Sequence, residues 1–291
     1  MSRTGFQLVD ISPWPLMASF EVLGLTATMI TMFCDGMSGL VILLGLSSVC
    51  FLCFTLIRWW GDVILESTFM GCYSSYIIRN LRCGMVLFIL SEIFFFVSFF
   101  WAFFYASVGE LSIHGVGYWP PVGVNPIYPW SVPFLNTIVL LSSALTVTWA
   151  HKAVSVHNMI DYKDKWFVPK KYWKGMNEVS SADYQMSGLV SLGLTILLGV
   201  IFTCLQSMEY YMASFCISDG IYGSTFYLLT GFHGMHVIVG TIFLVVCWFR
   251  LYLLHFSYQH HYFGLDAAVY YWHFVDVVWI GVFSSVYVWG Y

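Results

Sequence analysis

The chain has 291 residues and a mass of 33.3 kDa, of which 59% are hydrophobic and only 9% are charged. Soluble domains carry about a quarter charged residues. This shortage of charge excludes a soluble globular protein, a disordered chain and a nucleic-acid-binding protein. The mean hydropathy of +0.79 instead indicates a polytopic membrane protein. The net charge of −4 implies no polyanionic partner.

Seven apolar runs are long enough to cross a bilayer, which takes about 20 residues. In chain order they are residues 13–33, 39–57, 83–107, 132–151, 186–207, 222–248 and 267–290. Pro13 and Trp14 open the first run, where proline suits a helix start and tryptophan suits the membrane interface. Residues 152–183 form a polar loop with six of the eleven Lys and Arg residues. We therefore predict an all-α polytopic membrane protein, with residues 1–291 as a single membrane domain.

The basic residues predict the orientation of these spans. Successive segments between spans lie on alternate sides of the membrane. All eleven Lys and Arg residues fall in segments on the same side as the N-terminus. The positive-inside rule requires only a bias towards the cytoplasm-like side, and here the bias is complete. We therefore expect the N-terminus on the cytoplasm-like side and the C-terminus opposite. This orientation excludes a seven-helix receptor whose N-terminus lies outside.

Glu92 is an acid in the middle of the third span. It lies ten residues beyond Arg82, which corresponds to a depth of about 15 Å, close to the bilayer midplane. Because an ionised carboxylate is costly at that depth, we expect Glu92 to be protonated or paired with a group on another helix. A proton-handling role and a role in organising the helix interface both remain open. For Glu21, in the first span, we favour a structural role.

Histidines in the sixth and seventh spans are the candidates for a metal site. His233 and His236 share one helix face, and so do His273 and Asp276. A metal centre needs three or four ligands and a membrane haem needs facing axial histidines, so we favour hydrogen bonding between helices over metal binding. The eight scattered cysteines include a C-x-x-C, Cys50 to Cys53, for which we favour packing over zinc.

Further histidines and aromatic residues lie close to the basic side. His255, His260 and His261 follow Arg250, and together with Arg82, Glu66 and the segment from Arg58 to Trp60 they form a candidate pocket for lipid headgroups. A solvated loop edge with aromatic anchors is the alternative. From the residues alone, three classes remain: a transporter, a redox subunit that carries haem, and a non-catalytic subunit of a larger complex. The paired, interrupted helices of a transporter are not evident.

A series of short motifs is more specific. They occur in order as Ser12-Pro13-Trp14-Pro15, Trp59-Trp60, Leu81-Arg82, Ser91-Glu92, Trp119-Pro120-Pro121, Asn136-Thr137, Trp149-Ala150-His151, Glu209-Tyr210, His233-Gly234-Met235-His236 and Trp272-His273-Phe274-Val275-Asp276. Over essentially its whole length the chain resembles subunit III of cytochrome c oxidase, the haem–copper oxidase complex. Each motif is weak by itself, but so many in register make a chance match very unlikely.

This resemblance implies a fold and a set of site residues. It implies seven helices in a two-helix part and a five-helix part, with phospholipids bound in the cleft between them. Glu92 matches the buried carboxyl of the family. The positions near the bound lipids are matched by Trp60, Glu66, Arg82, His236 and Arg250. The resemblance implies no catalytic residue and no metal ligand in this chain.

Some positions depart from the family pattern. Gly61 and Leu65 stand where arginines are common, and Tyr73 and Tyr105 stand where the family has histidines. Headgroup binding is therefore expected to be weaker or differently built. Residues 152–183 form a longer and more lysine-rich segment than the family leads us to expect.

The resemblance also implies a function. The whole complex reduces O2 to water and pumps protons, with haem and copper in the catalytic subunit I and other partners. This chain would bind structural phospholipids and no redox cofactor. It would support assembly and sustained proton uptake, as part of an oxidoreductase whose redox centres lie in other subunits. The expected location is the mitochondrial inner membrane, with the N-terminus in the matrix, and a bacterial plasma membrane is the alternative. A homologous subunit of a quinol oxidase is the alternative function.

Overall fold

The computed structural model describes residues 11–109, 119–163, 181–256 and 262–291. Within these ranges the regular structure is entirely helical. The helices are α1 (Trp14–Asp35), α2 (Gly39–Thr68), α3 (Ser75–Val108), α4 (Val132–Lys163), α5 (Ser181–Met212), α6 (Gly220–Tyr252) and α7 (Phe263–Val282), and a π-helical turn, Phe283–Val288, follows α7. All seven helices include a stretch that is long and apolar enough to cross a membrane. This confirms the predicted all-α class and the predicted number of helices that can span a membrane.

Helix starts and stops follow local sequence signals. Pro15 lies in the first turn of α1, where its missing N–H is not needed. Gly36 follows the end of α1 with a φ of 83°, a conformation that favours glycine. The Ser38 hydroxyl caps α2 by accepting a hydrogen bond from the Val41 amide at 3.3 Å. The tight connection from α1 to α2 therefore makes these two helices neighbours.

Several helices are longer than the predicted apolar runs. The second run was predicted to end at residue 57, but α2 continues to Thr68, and α3 begins at Ser75 rather than at residue 83. The hydropathy pattern ends at the first charged residue, whereas the backbone helix continues because arginine and glutamate are good helix formers. The predicted polar loop 152–183 is corrected in the same way. Its first residues belong to α4, which reaches Lys163, and its last belong to α5, which begins at Ser181, while residues 164–180 lie outside the described ranges.

By its internal contacts the chain divides into two units, Met1–Asn80 and Leu81–Tyr291. The first unit contains α1 and α2. These helices are joined by the indole N–H of Trp14, which donates to Asp62 at 2.6 Å, and by the Thr55 hydroxyl, which donates to Glu21 at 2.8 Å. Glu21 therefore joins the two helices of the first unit, and its structural role stays a prediction. The two-helix plus five-helix arrangement with its lipid cleft stays a prediction.

Two buried tryptophans of α7 form the centre of the second unit. Trp272 donates from its indole N–H to the Ser143 hydroxyl at 2.9 Å, and Trp279 donates to Thr137 at 3.0 Å, so both join α7 to α4. Gly199 of α5 and Gly240 of α6 leave room for the Trp272 ring, because a Cβ at either position would come within 3.0 Å of it. These contacts place α4, α5, α6 and α7 around a single core.

Candidate functional site

Glu92 and His236 meet at the middle of the second unit. Glu92 is at the midpoint of the 34-residue α3 and His236 at the midpoint of the 33-residue α6. The Glu92 Oε2 atom lies 3.0 Å from His236 Nε2. The His236 side chain is 8% exposed and that of Glu92 is 24% exposed, so the contact is largely shielded. The carboxyl that the sequence places at the midplane thus has a partner on another helix.

Aromatic rings surround the His236 imidazole. Phe96 meets it edge-on with ring centroids 5.0 Å apart, and Tyr271 stacks on it at 6.2 Å. Phe274 of α7 approaches to 6.2 Å. These rings pack around the imidazole and restrict its rotamers. The geometry of the Glu92–His236 contact is therefore fixed by packing from α3 and α7.

The hydrogen bonds restrict the protonation states of the Glu92–His236 pair. His236 Nδ1 lies 2.7 Å from the Phe232 carbonyl oxygen, and a carbonyl can only accept, so Nδ1 carries a hydrogen. In a neutral imidazole Nε2 is then an acceptor, and the Glu92 carboxyl must be protonated to donate to it. In the charged alternative, an imidazolium donates to a carboxylate. In either state one proton is held between Glu92 Oε2 and His236 Nε2.

A second polar cluster joins three helices towards the basic side. Arg82 of α3 donates to Asp266 Oδ2 at 2.8 Å, and His151 Nε2 of α4 lies 2.9 Å from Asp266 Oδ1. Asp266 is 3% exposed and sits in the first turn of α7, where the helix dipole favours a carboxylate. The Arg82 side chain is 43% exposed, so it remains accessible beyond this contact.

Arg250 and His255 lie at the end of α6. The Arg250 guanidinium sits over the Phe256 ring, with its carbon 4.6 Å from the ring centroid. Burial, together with the charge of Arg250, lowers the pKa of His255 from its usual 6.5, which favours the neutral imidazole. The other histidines of the predicted headgroup pocket, His260 and His261, lie outside the described residues.

His233 and His273, the other histidines considered for a metal site, contact neighbouring protein groups. His233 Nε2 lies 3.2 Å from the Val275 carbonyl oxygen of α7, to which it can only donate. His273 Nδ1 lies 3.5 Å from Asp276 Oδ2 of the same helix. In the part of the chain that the structure describes, no three or more His, Cys, Asp or Glu side chains come together as a metal site. The polar contacts described above can hold protons and charges, and they join helices of the second unit.

Comparison with known proteins assigns the chain to a family. The family model described as "Cytochrome c oxidase subunit III" matches residues 4–165 and 179–291. The chain belongs to this family. It is 47% identical over 291 residues to cytochrome c oxidase subunit 3 of Prototheca wickerhamii, covering 100% of this chain and 99% of the relative. It is 46% identical to the subunit 3 of Scyliorhinus canicula, over 98% of this chain and 97% of the relative. The subunit 3 of Branchiostoma lanceolatum is also 46% identical, over 99% of both chains.

Membership of the subunit III family confirms the resemblance that the motifs predicted. The family match leaves out residues 166–178, which lie within the lysine-rich segment. Two of the predicted lipid-contacting residues of a subunit III, Trp60 and Glu66, lie towards the end of α2 in the first unit, and Trp60 is 60% exposed. The others, Arg82, His236 and Arg250, lie in the second unit with Glu92.

Sequence reasoning missed two parts of the second unit. The first is the role of Asp266 and His151 as partners of Arg82. The second is a buried cluster in which Tyr287 donates from its hydroxyl to Glu209 Oε1 and Gln206 donates to the same oxygen at 3.4 Å. Glu209 is 4% exposed. The available sequence signal for this cluster was Glu209, an acid close to the end of an apolar run, followed by the aromatic Tyr210 at the interface.

Proposed function

We propose that the chain is a membrane-embedded, non-catalytic core subunit of a cytochrome c oxidase that reduces O2 to water and pumps protons. The observation that carries the proposal is the full-length similarity to relatives named as subunit 3 of this enzyme. Haem and copper belong to the partners, principally the catalytic subunit I. The relatives cited come from eukaryotes, which favours the mitochondrial inner membrane over a bacterial plasma membrane.

Two further parts of the proposal concern the basic side of the chain. The complete asymmetry of the Lys and Arg residues supports an N-terminus in the matrix. The partly exposed Arg82 and the interfacial Trp60 support phospholipid binding, because a guanidinium pairs with a phosphate and an indole anchors at headgroup level. Glu66, His236 and Arg250 complete the proposed set of lipid contacts.

The Glu92–His236 pair supports a role beside the proton-uptake path of the complex. It holds one proton near the midplane in an aromatic surrounding. The pair stabilises the position of α3 against α6 and keeps the membrane-facing side of the second unit in one geometry. Through this geometry the chain sustains proton uptake by the catalytic subunit.

Purification through an affinity tag on this chain tests the proposal. The expected product shows haem absorbance, contains copper and oxidises reduced cytochrome c. After the partners are removed, the isolated chain should show no Soret band. A tagged complex that oxidises a quinol but not cytochrome c would favour the quinol oxidase alternative, and a tagged chain without any haem-bearing partner would refute the assignment.

Topology and lipid binding have separate tests. Cysteine-accessibility labelling should find a residue within 160–175 on the matrix face and Tyr291 on the opposite face. Phospholipid that co-purifies with the complex should fall in Arg250→Gln. Arg79→Gln is the matched control, because Arg79 is exposed and is not in the proposed lipid set, and the charge pattern predicts it for the same side of the membrane. Equal lipid loss in both variants would contradict a specific contact.

A further inference from the structure

An open apolar groove runs along the second unit between α3 and α7. Its volume is about 440 Å³, and it is lined by residues that include Ile93, Val97, Phe100, His273, Val277 and Gly281. We call it the α3–α7 groove. Val277 is 66% exposed and Val97 is 49% exposed, so the groove faces outward and not into the core. An apolar groove of this kind fits either a lipid acyl chain or a helix.

Polar side chains at one edge of the groove distinguish these two occupants. His273 of α7 contacts Thr148 of α4 with 3.3 Å between Nε2 and Oγ1, and Asp276 with 3.5 Å between Nδ1 and Oδ2. We call these three residues the polar trio. The His273 side chain is 40% exposed, whereas that of Asp276 is 5% exposed. The imidazole therefore lies beside a buried carboxyl and is itself partly exposed.

The hydrogen bonds of the polar trio show what a covering group must supply. The Thr148 hydroxyl donates its one hydrogen to the Ala144 carbonyl at 2.8 Å, so towards His273 it acts as an acceptor and Nε2 is the donor. A hydroxyl oxygen has two acceptor positions, and Thr148 is exposed. The open position on Thr148 can accept one further hydrogen bond, and the exposed imidazole edge also faces outward.

The depth of the polar trio makes lipid a poor cover for it. His273 lies ten residues into the span Phe263–Val288, which corresponds to about 15 Å along the helix, or half of a hydrocarbon core of about 30 Å. At this depth there is no water, and acyl chains neither donate nor accept hydrogen bonds. Polar side chains within the membrane usually face protein or a water-filled cavity for this reason.

We propose that the α3–α7 groove is the docking surface for a transmembrane helix of a sister subunit in the oxidase complex. The partner helix is apolar along the groove and carries one hydrogen-bond-donating side chain at the level of His273, where it reaches Thr148. The apolar lining supplies the packing, and the polar trio fixes the register, since hydrogen bonds between membrane helices select one alignment. This inference rests on the proposed function, because it requires that the chain assembles with other subunits.

Photo-crosslinking in the intact complex tests the proposal. A benzophenone amino acid is introduced at Val277 in the groove and, as a matched control, at Leu197, which is 54% exposed on α5. Val277 should give an adduct with a transmembrane peptide of a sister subunit, at a yield severalfold above that from Leu197. Thr148→Val, which keeps the shape of the side chain and removes the acceptor, should lower the Val277 yield severalfold. His273→Leu should do the same, whereas His273→Gln should retain most of it.

Several results would overturn the docking surface while leaving the proposed function intact. They are a lipid adduct alone at Val277, an adduct with a second copy of this chain or with its own helices, an equal yield of the same peptide from Leu197, and a yield unchanged by both Thr148→Val and His273→Leu. Absence of a haem-bearing complex on the tagged chain would instead refute the proposed function, and the docking surface with it.

Discussion

Replacing Glu92 by glutamine decides which protonation state the Glu92–His236 pair holds. His236 Nδ1 donates to the Phe232 carbonyl, so in a neutral pair Nε2 accepts from the protonated carboxyl. The amide group of glutamine can donate to Nε2 in the same way. We expect the neutral pair, because separated charges are costly near the midplane. Glu92→Gln should then change the unfolding free energy by less than about 0.5 kcal/mol, since one neutral hydrogen bond replaces another.

Glu92→Ala gives the magnitude for comparison. It removes one intramembrane hydrogen bond, which contributes about 0.6 kcal/mol on average and about 1.7 kcal/mol at most. It also leaves His236 Nε2, on a side chain only 8% exposed, without its partner, for which about 1–3 kcal/mol is typical. A total of about 2–3 kcal/mol is therefore expected from these terms, which overlap in part. An ion pair would behave differently, because removal of one charge destabilises a buried pair by about 3–5 kcal/mol.

Two measurements on the purified complex separate these cases. Infrared spectroscopy should show the carbonyl stretch of a protonated carboxylic acid that disappears in Glu92→Gln and persists in Glu21→Gln, the matched control in the first unit. Denaturant titration in detergent should rank wild type and Glu92→Gln together and Glu92→Ala below them. A Gln variant destabilised as strongly as the Ala variant, with no carboxylic-acid band in wild type, would refute the neutral pair.

Three further predictions follow from contacts outside this pair. Asp266→Ala should lower the unfolding free energy by about 2–4 kcal/mol in the same denaturant titration. This loss is smaller than for breaking a fully buried ion pair, because the Arg82 side chain is 43% exposed, and Asp266→Asn should cause a smaller loss still. Gly61→Arg should fold normally, since nothing lies within 4 Å of a Cβ there, and should raise the co-purifying anionic phospholipid measured by mass spectrometry. The Cys216 amide donates to the Asp219 carboxylate at 2.7 Å and lowers the pKa of Asp219 from its usual 3.8. A lowered carboxyl pKa means that the stabilisation is complete above pH 3.8 and is lost as the pH falls through the folded value. Hydrogen exchange at the Cys216 amide, corrected for its intrinsic pH dependence, should therefore accelerate only in that acidic range. Asp219→Ala should exchange at this accelerated rate throughout the pH range, so that it differs from wild type only at higher pH.

The membrane spans could be predicted from the sequence because hydrocarbon thickness sets a minimum apolar length. The helix ends could not, and α2 shows why. Its last eleven residues, from Arg58 to Thr68, include three charged residues and two tryptophans. A hydropathy count therefore stops at the first charge and not where the backbone hydrogen bonds of the helix end. The glycine at position 71, which adopts a positive φ beyond α2, was the better sequence signal for the end of the helix.

The candidate site could be predicted only in part. Glu92 was found because an acid in an apolar run is unusual. Its pairing with His236 could not be read from the sequence, because 144 residues separate them and no local pattern encodes a contact between helices. Asp266 was missed for the opposite reason. It lies at the start of α7, where acids are common, so only the three-dimensional contact with Arg82 and His151 shows its importance.

The position of the two clusters on α3 bears on whether Glu92 relays protons. Arg82 and Glu92 are ten residues apart, which is about 15 Å along the helix and far beyond hydrogen-bond reach. Phe88 lies between them and stacks on Tyr271 of α7 with ring centroids 6.4 Å apart, which fills the space with aromatic carbon. A proton on the Glu92–His236 pair therefore has no direct hydrogen-bonded route to the Asp266 cluster through the described side chains. We therefore expect the pair to organise the helix interface and not to relay protons, and Glu92→Gln should leave proton uptake by the complex nearly unchanged.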